Sequence, residues 1–167
     1  MVLLDYCTKF FRVRKANVTL NLSHIGNFLG LVGINYAIIH KHTGKRLKAD
    51  LDSKKLVLTD DSIQPDHLWK LEESKDHHGY YYIINMVVAN AKVARYTDGV
   101  IYYEGARVDD QLWKFVQNGE KYEYQIVNLE YTNHKLVPNA EEKLTTYGGA
   151  FYNDQLWELA KEMDYPC

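Results

Sequence analysis

The chain has 167 residues, enough for one domain with its own core. Its net charge is −2, and 25% of residues are charged, so there is no electrostatic case for a nucleic-acid binder. No apolar run approaches the roughly 18 residues of a membrane span. Met1 to Tyr6 lacks the positive n-region and long apolar stretch of a signal peptide, although a leader removed earlier would leave the same start. The triplets Asn17-Val18-Thr19 and Asn21-Leu22-Ser23 fit the N-glycosylation pattern, which matters only in a secreted protein. Secretion is the slightly favoured localisation. Cys7 and Cys167 are the 2 cysteines; they form a disulfide if the termini meet and are free thiols otherwise.

In chain order, residues 1 to 34 stand apart from the remainder of the chain. Val18, Leu20 and Leu22 alternate with Thr19, Asn21 and Ser23, the period of a strand with one buried face. Gly26, Gly30 and Gly33 then interrupt an apolar segment and favour turns over a regular helix. We read this part as an N-terminal extension packed on the main domain, with Phe28, Leu29, Leu31 and Val32 capping its core. A partner-binding segment is the alternative.

The main domain, 35–167, repeats itself over about 35–76, 77–119 and 120–163. The first copy opens with Tyr36 to His40, turns at His42-Thr43-Gly44, continues through Arg46-Leu47-Lys48 and Leu56-Val57-Leu58, and ends on Asp66-His67-Leu68-Trp69. The second runs from Tyr81 to Asn85, through Lys92-Val93-Ala94 and Val100 to Tyr103, to Asp110-Gln111-Leu112-Trp113. The third runs from Tyr124 to Asn128, through Lys135-Leu136-Val137 and Leu144 to Tyr147, to Asp154-Gln155-Leu156-Trp157. The 3 tryptophans are evenly spaced, 44 residues apart (113 − 69 and 157 − 113). Leu56, Val100 and Leu144 each precede their tryptophan by 13 residues (69 − 56, 113 − 100, 157 − 144). A fixed period of this length marks one supersecondary unit copied in series. Short β-branched or aromatic segments between turn residues predict an all-β barrel or sandwich. Ile38, Ile83 and Ile126 join the tryptophans as the expected core.

Three copies of four strands, each closing on Asp/Gln-x-Trp, resemble the β-trefoil of the ricin-type lectins. The copy at Asp66-His67-Leu68-Trp69 departs by carrying His for Gln. The resemblance implies an all-β β-trefoil over about residues 35 to 163. It also implies carbohydrate sites built from an acidic residue after the second strand's apolar position, an aromatic platform on the third strand, and a polar residue of the Gln-x-Trp motif. Carried over, the carbohydrate-binding residues are Tyr103, Asp110 and Gln111 in the second repeat and Tyr147, Asp154 and Gln155 in the third. Thr59 takes the platform position of the first, so no site is expected there. The acidic position falls on Lys48, Ala94 and Val137, none of which accepts a sugar hydroxyl as a carboxylate does; Arg95 and Asn139 stand nearby as substitutes. The alternative for Asp110, Gln111, Asp154 and Gln155 is structural: each ties the strand before a tryptophan to a neighbouring turn. Tyr102, Tyr103, Tyr147 and Tyr152 are otherwise ordinary strand tyrosines.

The 7 histidines give no compact ligand set. His40 and His42 alternate as if on one strand face, His77-His78 sits in a loop, and solvated turn histidines are expected. No cofactor, metal or enzymatic motif is found: there is no phosphate loop, Gly-x-Ser-x-Gly or metalloprotease helix. The expected function is a lectin-like, non-enzymatic binder of glycans or glycoproteins, and the 14 tyrosines suit sugar-facing surfaces. The rivals are a protein-binding trefoil acting through loops (a protease inhibitor or an assembly module) and a structural or storage protein with no dedicated site.

Overall fold

The computed structural model describes residues 34–161 except 54, 89, 98, 119 and 121. The strand at Val18 to Leu22, the two glycosylation triplets, the capping residues Phe28 to Val32 and the pair Cys7 and Cys167 lie outside the described residues. Ile34 is partly buried against the core. Among the described residues no helix is long and apolar enough to cross a membrane.

Among the described residues twelve strands form, four to a repeat, most of them carrying β-branched or aromatic residues that suit a half-buried pleat. The first repeat holds β1 (Asn35–His40), β2 (Arg46–Asp50), β3 (Lys55–Thr59) and β4 (Leu68–Glu73). The second holds β5 (Tyr81–Asn85), β6 (Lys92–Tyr96), β7 (Gly99–Tyr103) and β8 (Leu112–Gln117). The third holds β9 (Glu123–Asn128), β10 (Lys135–Pro138), β11 (Leu144–Tyr147) and β12 (Trp157–Lys161). A short 3-10 turn precedes each tryptophan strand, at Pro65–His67, Asp109–Gln111 and Asn153–Gln155.

The first and last strands of each repeat close a ring of antiparallel pairs, β1 to β4 to β5 to β8 to β9 to β12 and back to β1. Closure leaves no unpaired edge in the barrel. The second and third strands pair with each other as three hairpins. The register is threefold. Tyr36 faces Trp69, Tyr81 faces Trp113 and Tyr124 faces Trp157. On its other side Trp69 faces Asn85, Trp113 faces Asn128 and Trp157 faces His40.

All three indoles are fully buried in one core with Ile38, Ile83, Ile126, Leu56, Val100 and Leu144. One repeat alone could not cover this apolar face. Each indole N–H also finds an acceptor: Leu47 O at 3.0 Å, Val93 O at 2.8 Å and Leu136 O at 2.9 Å. These bonds pin each second strand to the following tryptophan strand and satisfy donors that burial would otherwise orphan.

The last residue of each first strand makes a further threefold tie. Asn85 Nδ2 donates to Asp66 O, and Asn128 Nδ2 to Asp110 O, both at 2.9 Å. His40 takes the third position, its Nε2 donating to Asp154 O at 2.7 Å while its Nδ1 accepts the Thr43 hydroxyl at 2.9 Å. His40 is therefore buried, against expectation, and His42 lies in the following turn, so the two share no strand face. A carbonyl that needs a donor selects the side chain here, and imidazole meets the requirement as the amide does.

Burial lowers the pKa of His40 and of His67 below the usual 6.5. Below pH of about 6.5 the unfolded chain therefore takes up protons that the folded chain refuses. The stability contribution is complete above that pH and declines as pH falls toward the depressed folded-state values. Denaturant midpoints measured at pH 7.5 and pH 5 are expected to fall with acidification. His40→Asn, which copies the other two repeats, is expected to flatten the fall; an unchanged slope in the variant would remove His40 from the account.

Candidate functional site

Each repeat presents its candidate residues at two places. One is the end of the third strand, carrying Thr59, Tyr103 or Tyr147. The other is the 3-10 turn, carrying Asp66-His67, Asp110-Gln111 or Asp154-Gln155.

Hairpin register sets a cation opposite each third-strand end: Arg46 against Thr59, Lys92 against Tyr103 and Lys135 against Tyr147. Each cation then holds the carbonyl two residues beyond that end. Arg46 Nη1 donates to Asp61 O at 2.8 Å, Lys92 Nζ to Gly105 O at 3.1 Å and Lys135 Nζ to Gly149 O at 2.9 Å. Lys92 is only 2% exposed, and burial lowers its pKa. The held residue is glycine wherever the strand ends in tyrosine. A Cβ on Gly105 would lie 2.3 Å from the Tyr103 ring, and one on Gly149 would lie 2.1 Å from the Tyr147 hydroxyl. Both rings therefore rest over their own loop main chain, and the absence of a side chain there permits it.

In the 3-10 turns, Gln111 Nε2 donates to Ala106 O and Gln155 Nε2 to Ala150 O, both at 2.9 Å. These bonds fix each loop from its far end. The Oε1 atoms of both glutamines are buried without a partner. His67 makes a shorter tie of reversed polarity: its Nδ1 accepts the N–H of Gln64, three residues back, at 2.8 Å, which places its proton on Nε2. This is a second buried histidine where a solvated one was expected.

The residue after each indole acceptor is Lys48, Ala94 or Val137, the position at which a carboxylate was sought. Lys48 Nζ sits 3.6 Å from Asp66, pairing off the first repeat's turn carboxylate. Ala94 and Val137 are buried. Of the two nearby substitutes, Asn139 has its Oδ1 engaged by the Glu141 and Lys143 N–H groups at 2.9 Å. Its side chain can therefore offer only an N–H. Arg95 is engaged by the Tyr131 ring and the Thr146 hydroxyl.

The third repeat brings its trio together. Tyr147, Asp154 and Gln155 line one open depression of about 380 Å³, along with Val137, Asn139 and Tyr152. Tyr147 is 44% exposed and Tyr152 56%, with ring centroids 6.3 Å apart and planes at 49°. No ion pair engages the Asp154 carboxylate among the described residues. The second repeat has a depression of its own. Asp110 lines an open depression of about 530 Å³ with Arg107, Val108, Asp109 and Glu130, while Tyr103 and Gln111 lie outside it. Burial, followed by Glu130 and Asp109, raises the Asp110 pKa, so this carboxylate lies among like charges.

No family model matches the chain, and no curated protein matches it. Solved structures do. A designed threefold-symmetric protein, ThreeFoil, superposes with TM-score 0.65 at 20% identity, over 75% of this chain and 97% of its own. The protein SeviL, bound to asialo-GM1 saccharide, gives TM-score 0.66 at 22% identity, over 77% and 98%. A Polyporus squamosus lectin, bound to a Neu5Ac-Gal-GlcNAc epitope, gives 0.65 at 17%, over 78% and 49%. Identities this low speak for fold alone. The fold is a β-trefoil.

Among the described residues of the trefoil, no group of three or more His, Cys, Asp or Glu is placed to hold a metal. Sequence reasoning did not join Tyr152 to the site. Its counterparts one residue before the turn are Gln64 and Val108, so the aromatic character there is particular to the third repeat. That alignment was available from the even spacing of the turns. The cations Arg46, Lys92 and Lys135 were legible in the same way.

Proposed function

We propose that the protein is a carbohydrate-binding, lectin-like trefoil whose principal site is the third-repeat depression. The observation that carries this reading is the convergence of Tyr147, Tyr152, Asp154 and Gln155 on one surface concavity. A tyrosine face offers the C–H groups of a sugar ring an apolar, electron-rich platform. The unpaired Asp154 carboxylate accepts sugar hydroxyls, and Asn139 donates. Gln155 positions the loop through Ala150 O. Tyr103, Asp110 and Gln111 form the second, weaker candidate site, because Tyr103 and Gln111 do not line the depression that holds Asp110. The partners in this reading are glycans or glycoproteins, and the protein acts by binding without catalysis. SeviL and the Polyporus lectin, both solved with saccharides, are consistent with it.

The second reading is a protein-binding trefoil acting through loops, favoured by the buried Ala94 and Val137 at the sought carboxylate position. A glycan array run beside a protease-inhibition panel separates the two. Saturable glycan binding with no inhibition is the expected outcome. Inhibition of a protease with an empty array would replace the first reading with the second.

A further inference from the structure

The hairpin of β6 and β7 carries one charged side chain that the repeat does not require. Arg95 stands opposite Val100 in its hairpin; the residues facing Leu56 and Leu144 in the other two are Ala49 and Pro138. Both are small or apolar, so the scaffold closes without a cation here. A departure from internal symmetry at a position that the fold satisfies otherwise calls for a separate explanation.

Arg95 crosses from the second repeat to the third. Its guanidinium carbon lies 3.3 Å above the centroid of the Tyr131 ring. Its Nε donates to Thr146 Oγ1 at 3.2 Å. His134 reaches the same hydroxyl, with Nδ1 at 3.3 Å, and its ring centroid is 5.7 Å from that of Tyr131. The side chain is held by face and by one edge, which leaves the Nη1 and Nη2 edge free. No carboxylate pairs with Arg95 among the described residues. Arg107, by contrast, is paired with Glu72, and Lys45 with Glu142 at 2.6 Å. Thr146 also lines the third-repeat depression, so this cluster borders the proposed sugar site, while Arg95, Tyr131 and His134 do not line it.

We propose that Arg95, Tyr131, His134 and Thr146 form an oxyanion site at the seam of the second and third repeats, fitted to a sulfate or phosphate monoester. A planar guanidinium with a free edge binds two oxygens of such a group in a fork that an ammonium cannot match. Tyr131 fixes the plane of that fork through its ring face. His134 packs beside Tyr131 and shares the Thr146 hydroxyl, bracing the other side of the cluster. Arg107, Lys92 and Lys135 are engaged elsewhere and do not belong to the site.

The test is a titration of the full chain with inorganic sulfate, inorganic phosphate and, as an ionic-strength control, chloride, followed by amide and imidazole resonances. Sulfate or phosphate is expected to shift Thr146 and His134 saturably, with at least a tenfold loss of affinity in Arg95→Gln. Arg95→Lys keeps the charge without the fork and is expected to bind more weakly than the native chain; it also serves if the glutamine variant fails to fold. The relative response to the two anions identifies which monoester fits. Shifts that do not saturate, that chloride reproduces, or that persist in both folded variants would overturn the proposal. Because Thr146 borders both places, neutral-glycan binding is measured in the same variants and read separately from the anion titration.

Discussion

Replacing Trp113 by alanine is expected to cost about 3–5 kcal/mol of folding stability, the range for truncating a buried aromatic. The indole has no exposed surface, packs in the shared core and donates to Val93 O. Its removal opens a cavity at the junction of two repeats and orphans a carbonyl at once. Because a domain of this size is held by only about 5–15 kcal/mol, the variant approaches the limit of folding at 37 °C. Trp113→Phe separates the two causes. It keeps most of the apolar volume and loses the N–H, so it is expected to cost about 1–3 kcal/mol, the penalty for a buried group left unsatisfied. Urea denaturation of both variants gives the comparison. If Trp113→Ala lost no more than a surface substitution, the shared core would not be what holds the three repeats together.

The second large effect concerns binding. Tyr147→Ala is expected to weaken glycan binding at least about tenfold, corresponding to roughly 1.4 kcal/mol. Tyr103→Ala is expected to weaken it much less. The ranking follows from surroundings, since both tyrosines are about equally exposed, at 44% and 46%. Tyr147 shares its depression with Tyr152, Asp154 and Asn139, whereas Tyr103 does not line the depression that holds Asp110. Neither ring supports the core, so both variants should melt close to the native temperature. Calorimetric titration with a glycan selected on the array reads the effect directly. Equal losses at the two positions would contradict the ranking, and no loss at Tyr147 would remove the platform from the third repeat.

The architecture was legible in the sequence because the tryptophans, the residues 13 before them and the turn motifs all keep one register. Such agreement is hard to satisfy unless the same unit is built three times. His40 was not legible. Its equivalence to Asn85 and Asn128 is a matter of hydrogen-bond direction toward a turn carbonyl, and residue type conceals it. The first repeat's turn was half legible: His67 broke the motif by residue type and makes a tie of its own, accepting from Gln64 where the glutamines donate to a carbonyl five residues back. The division between the second and third sites was hidden for another reason. It depends on Tyr152 against Val108, and on the acidic surroundings of Asp110, which are set by loops meeting in space. The glycines after Tyr103 and Tyr147 are instructive in retrospect, because Tyr-x-Gly records a ring lying on main chain. Thr59, which has no ring, is followed two residues later by Asp61.

The measurement that bears most directly on the proposed function is a map of backbone and aromatic resonances during saturation of the full chain with a glycan ligand. The account predicts that the largest shifts fall on Tyr147, Tyr152, Asp154 and Asn139, with smaller ones around Tyr103. Saturable binding whose shifts cluster elsewhere, or no saturable binding to any glycan, would contradict it.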